Sequence, residues 1–177
     1  MPKKMDAAYY REYRQKRKEQ ARPVQSGSNR QSKFDRAQFI AWDGEGFNTD
    51  TRIDDYTWDH VFVLLANSLG QRMWTDAGET RLPTARCLDF LLGTARQHPN
   101  AIHVFYGGTY DMNHILRSMD RDTVEQLAKF GDCFWQGYYI RFLPRKSLFI
   151  RRGDTSITLW DVIGFSRCRL YGRLRNG

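Results

Sequence analysis

The stretch Gln38-Phe39-Ile40-Ala41-Trp42-Asp43-Gly44-Glu45-Gly46 decides the reading of this chain. An apolar run that ends in an acid is the pattern of a buried strand leaving the core. Residues i and i+2 of a strand point to the same side, so Asp43 and Glu45 share a face. Two carboxylates side by side next to an apolar run repel each other, and a hard cation such as Mg²⁺ or Mn²⁺ relieves that repulsion. The competing reading is a solvent-exposed acidic turn after an ordinary strand. Gly44 and Gly46 leave room for a metal or substrate to approach the backbone.

Working outward, His60–Asn67 reads as a second strand and Ser68–Gln71 as a turn. Arg72 starts a third strand, and Asp50–Asp59 reads as a polar loop. Pro83–Gln97 has helical spacing at Leu88, Leu91, Leu92 and Ala95, with proline at its start. Ala101–Tyr106 is a fourth strand, broken by Gly107-Gly108, and Tyr110–Met119 and Asp122–Phe130 follow as helices. Gly137–Phe142, Ser147–Arg151 and Ser156–Leu159 read as three short strands of a β-hairpin extension. Three antiparallel strands, a helix, a strand and a helix is the order of an α/β, ribonuclease-H-like mixed sheet with flanking helices. Asp111 opens a helix directly after a strand, and an N-terminal cap is the alternative reading of that acid. If the strand before it neighbours the first strand, Asp111 faces Asp43 across the strand tips. Two cations about 3.5–4 Å apart held between such acids are the apparatus of phosphodiester hydrolysis. Phe47, Tyr106 and Tyr110 are candidates for stacking on unpaired bases, against the alternative of core packing.

Charge is unevenly placed. The net charge is +8, yet residues 1–22 hold eight Lys/Arg against three acids, and residues 167–177 hold four Arg and no acid. The body between is nearly neutral and would not be read as a nucleic-acid binder on charge alone. The expected organisation is a basic helical tail over 1–22, a Ser/Gln/Gly/Asn-rich linker over 23–36, the α/β domain over 37–166 and a basic irregular end over 167–177. Cys87, Cys133 and Cys168 form no CxxC pair, which speaks against a zinc or disulfide framework. No run approaches the roughly 18 apolar residues of a membrane helix, and no apolar signal-peptide core follows Met1.

The two acidic motifs together resemble a known family. Asp43-Gly44-Glu45 looks like the first exonuclease motif (DxE) of family B DNA polymerases, and Phe105–Ile115 looks like the second. The phage, organellar and protein-primed members are the most similar in pattern. Gly137–Phe165, which includes Leu159–Phe165, resembles the hairpin and strand that follow motif two, so the resemblance covers about residues 37–166. It implies 3′→5′ hydrolysis of DNA in replication proofreading, with Asp43, Glu45 and Asp111 as catalytic metal ligands for two Mg²⁺ or Mn²⁺ ions. It implies a contact to single-stranded DNA through Tyr110; Phe47, Tyr106 and Asn113 are the further DNA-binding candidates. The implied partners are single-stranded or primer–template DNA, and a polymerase portion or a terminal protein, in the cytoplasm of a bacterial or phage-infected host rather than an organelle. Where the family carries Asn four residues before the motif-two acid, this chain has Gly107. The family's third motif, YxxxD, is expected beyond Phe165 and does not occur before Gly177, so the basic end reads as truncated or frameshifted. Asp161 is a candidate substitute acid, though a structural role is the stronger expectation. The alternative function is a non-catalytic DNA-binding module that uses the basic termini.

Overall fold

A computed structural model describes residues 37–52 and 58–163. The chain divides into Met1–Arg36 and Ala37–Gly177, and the sheet and its helices belong to the second unit. The expected tail helix, linker and basic end, with Cys168, lie outside the described residues. The elements are β1 (Phe39–Arg52), β2 (Trp58–Asn67), β3 (Arg72–Trp74), α1 (Thr84–Gln97), β4 (Ile102–Phe105), α2 (Thr109–Leu116), α3 (Arg121–Phe130), β5 (Asp132–Trp135), β6 (Tyr138–Leu143), β7 (Ser147–Arg152) and β8 (Thr155–Asp161). They form a mixed α/β fold around one eight-stranded sheet in the order β3-β2-β1-β4-β8-β7-β6-β5. β1 pairs parallel with β4, and β4 parallel with β8; the other neighbours are antiparallel. Such a mixed sheet flanked by helices is compatible with a ribonuclease-H-like fold.

Strand alternation explains which face is covered. Ile40, Trp42 and Gly44 of β1 are buried, while Phe39, Ala41, Asp43 and Glu45 are exposed. Along β2 the register slips by one residue at Val63, so Glu45 opposes Leu64 and Gly46 opposes Phe62. That bulge turns both Phe62 and Leu65, three residues apart, into the core. One apolar cluster joins the inward residues of the strands to Leu88, Leu91 and Leu92 of α1, Met112 and Ile115 of α2 and Leu127 of α3. Among the described residues the helices therefore cover one face of the sheet, and the opposite face carries none. Asp120 caps α3 by accepting from the Thr123 N–H at 3.0 Å, and Gly131, in the left-handed region at φ 78°, ends it. No helix among the described residues is long and apolar enough to cross a membrane.

The structure amends the sequence reading in three places. β1 runs on to Arg52, which pairs with Trp58, so both ends of the expected polar loop over 50–59 are strand. β5 was not foreseen: Asp132–Trp135 is four residues long and squeezed between the end of α3 and the turn at Gln136-Gly137. The hairpin extension is not an appendage, because β8 enters the centre of the sheet beside β4.

Candidate acidic site at the end of β1

β1 and β4 are neighbours with Trp42 opposite Phe105, so Asp43 and the segment leading to Asp111 leave the same end of the sheet. Gly107 and Gly108 turn the chain from β4 into α2, and Asp111 lies in the first turn of that helix. Asp111 reaches β1 from the covered face, beneath Gly44. A Cβ placed at Gly44 would stand 2.7 Å from Asp111 Oδ1. Asp43 and Glu45 flank Gly44 and turn to the exposed face. Only the backbone of a glycine thus separates the buried carboxylate from the exposed pair.

Asp111 is 5% exposed, and its Oδ1 has no hydrogen-bond partner. Burial, then the charge of Asp43, push its pKa up to about 7, with a smaller upward push from Glu45; the backbone N–H groups of Asp111 and Gly44 oppose this only in part. A carboxyl raised first by burial and then by neighbouring acids is the kind of perturbed group that clusters at functional sites. Oxygen-only donors suit a hard divalent cation, and the orphaned Oδ1 gives one a free ligand. As the side chains stand, no three of the His, Cys, Asp and Glu among the described residues converge on a single metal position. The division of the acids between the two faces of β1 is the reason.

Beside the acids lies a cluster that the sequence did not announce. Asn48 Oδ1 accepts from His60 Nδ1 at 2.8 Å. The other ring nitrogen, His60 Nε2, is hydrogen-bonded to the Tyr110 hydroxyl. Tyr110 packs on the His114 ring at 4.4 Å, and His114 stacks on Phe62 at 5.7 Å. Burial, then His60, Arg117 and Arg81, lower the His114 pKa to about 4, so that ring is neutral at pH 7. The Tyr110 pKa is raised by burial, then by Asp111 and Glu45, which sets its phenol beside the acids. Gly46 is required here as well: a Cβ at that position would lie 2.6 Å from His60 Nε2 and 2.8 Å from the Tyr110 hydroxyl. Arg117 ties α2 to β2 by donating to the His60 carbonyl at 3.3 Å, and with Arg81 it grips Asp59. The one hint in the sequence was the second glycine, Gly46, after the acid pair.

The remaining expected contacts divide. Phe47 is 55% exposed and follows Glu45 on the same strand, and Tyr106 is 84% exposed at the tip of β4. Asn113 does not join the acids. It lies two residues beyond Asp111, about 200° around the helix, and lines a cavity of about 740 Å³ between α2, α3 and β6. Asp161 is 2% exposed; it accepts from the Thr109 hydroxyl at 3.3 Å and from the Ile163 N–H at 3.1 Å. It ties β8 to the start of α2, as a structural acid does. Gly107 has φ 73°, a conformation that asparagine tolerates better than most residues.

No protein-family model, curated protein or solved structure matches this chain.

Proposed function

We propose that residues 37–163 belong to a metal-dependent 3′→5′ exonuclease domain of the family B DNA polymerase type. The observation that carries this reading is Asp111: buried, unpartnered at Oδ1, raised to a pKa of about 7, and one glycine away from Asp43 and Glu45. Asp43, Glu45 and Asp111 would hold the divalent ions. Bound there, such ions supply a water of lowered pKa and neutralise charge on the reacting phosphate.

The chain's own residues have separate tasks. Burial of Asp111 keeps one carboxylate away from bulk water, where its attraction for a cation is less screened. His60, fixed by Asn48, holds the Tyr110 ring at the edge of the acids, with its hydroxyl committed to His60. The exposed rings of Phe47, Tyr106 and Tyr110 lie around the same end of the sheet and offer π faces to terminal bases.

The direct experiment follows mononucleotide release from a 3′-labelled single-stranded oligonucleotide with Mg²⁺ or Mn²⁺. Release that is abolished by Asp43→Ala supports the reading, and robust release that survives Asp43→Ala refutes it. The second reading, a DNA-binding module without catalysis, is favoured by the failure of three acids to converge. It requires salt-sensitive DNA binding, indifferent to divalent metal, that is lost when residues 1–22 are removed.

A further inference from the structure

The uncovered face of the sheet is not uniformly polar. On β5, β6 and β7 the alternation that sends Cys133, Ile140 and Ile150 into the core sends Phe134, Tyr139, Arg141, Phe149 and Arg151 to the open side. Register brings these residues together: Phe134 opposes Tyr139, Tyr139 opposes Arg151, and Arg141 opposes Phe149. The rings of Phe134 and Tyr139 are 5.1 Å apart, and those of Tyr139 and Phe149 are 6.1 Å apart. Arg151 lies over Tyr139 at 5.4 Å and Arg141 over Phe149 at 5.8 Å. A row of three rings thus crosses three strands, with a guanidinium on each of two of them.

Cross-strand pairing alone accounts for part of this, since aromatic and cation–π pairs stabilise sheets. It does not account for Phe134, which stands 71% exposed on the edge strand. Nor does it account for the charge. Residues 137–153 hold five Arg/Lys and no acid, and of these Arg141 and Arg151 lie on the open side, while Arg152 pairs with Asp89 of α1. Over β5–β7 the acid on this face is Asp132, opposite Arg141 and accepting from the Tyr139 hydroxyl at 3.2 Å.

We propose that the open face of β5–β7 is a binding platform for single-stranded DNA, with bases stacked on Phe134, Tyr139 and Phe149 and phosphates met by Arg141 and Arg151. A four-stranded antiparallel sheet with exposed rings on adjacent strands is a known solution to holding unpaired bases, because every base has a π face. The guanidinium groups packed over Tyr139 and Phe149 supply the salt-dependent attraction for the backbone. Duplex DNA presents its backbone but no free base faces. The platform shares no residue with the acidic site and goes beyond the proposed function.

The test is fluorescence anisotropy of a labelled oligothymidylate and of a duplex of equal length, with the full chain in EDTA. Metal is absent, so the outcome does not depend on the acids or on hydrolysis. Phe134→Ala and Tyr139→Ala are each expected to weaken single-strand binding by about 5- to 100-fold and duplex binding by less than about two-fold. Arg151→Gln is expected to lower the salt slope by about one. Circular dichroism checks that the variants fold; if Tyr139→Ala does not, the solvent-exposed Phe134 decides. Unchanged single-strand affinity in Phe134→Ala, or an equal loss for single strand and duplex, overturns the proposal.

Discussion

Gly44 and Asp111 exclude any side chain between them: a Cβ on residue 44 would lie 2.7 Å from Asp111 Oδ1, closer than real Cβ contacts come. The same Cβ would run into the ring of Phe62, which is buried and has no room to retreat. Gly44→Ala is therefore expected to destabilise the fold by about 1–3 kcal/mol, the cost of overpacking a filled interior. Urea denaturation followed by circular dichroism measures it. A variant as stable as the parent would mean that Asp111 does not sit beneath the strand.

Asp111 makes the metal-free protein sensitive to pH. Its folded pKa, about 7, is above the ordinary value of 3.8. Between those values the folded state binds more protons than the unfolded one, so this group's contribution to stability is complete below about pH 4 and is lost as pH rises through 7. In EDTA the difference in melting temperature between Asp111→Asn and the parent is expected to grow in favour of the variant from pH 5 to pH 8. A constant difference over that range would show that Asp111 ionises normally. Neutral buried His103 and His114, both lowered to about 4, act in the opposite sense and weaken the fold as pH falls below about 6 in both proteins.

The chain Asn48–His60–Tyr110 is a coupled unit. Removing one member leaves the next without its partner, so a double-mutant cycle on Asn48→Ala and Tyr110→Phe is expected to show coupling of about 0.5–1.5 kcal/mol through His60. Additive effects would mean that the two hydrogen bonds form independently.

Gly107→Asn is expected to cost less than about 1 kcal/mol, because asparagine enters the left-handed region readily. Gly107→Val, which resists φ 73° and brings Cβ within 3.3 Å of Ile163 Cδ1, is expected to cost at least about 1–3 kcal/mol. Thermal melts of the two variants check the ordering, and equal costs would mean that the turn relaxes.

The parts of the site legible in the sequence were those encoded locally. Asp43 and Glu45 share a face because a strand has period two, and the strand-Gly-Gly-helix run around Asp111 gave that acid its place. That β1 could neighbour β4 was read from the positions of the two motifs; that the pair is parallel comes from the structure. The Asn48–His60–Tyr110–His114 cluster was not, because its members come from three elements and each reads alone as an ordinary strand or helix residue. Asp132–Trp135 was too short and too polar at its start to declare a strand. Ser156–Leu159 looked like a hairpin strand, and nothing local says that it pairs parallel with β4. Asn113 was a DNA-contact candidate, and the helix turns it about 200° from Asp111, toward the cavity between α2, α3 and β6.

The most direct measurement is a calorimetric titration of Mn²⁺ into the full chain and into Asp111→Asn, repeated in two buffers of different ionisation heat. Expected is saturable binding by the parent with release of about half a proton per ion at pH 7, falling toward none at pH 8. Asp111→Asn is expected to bind at least about ten-fold more weakly, without that proton. No saturable heat, or equal affinity in the two proteins, would contradict a cation site at Asp43, Glu45 and Asp111.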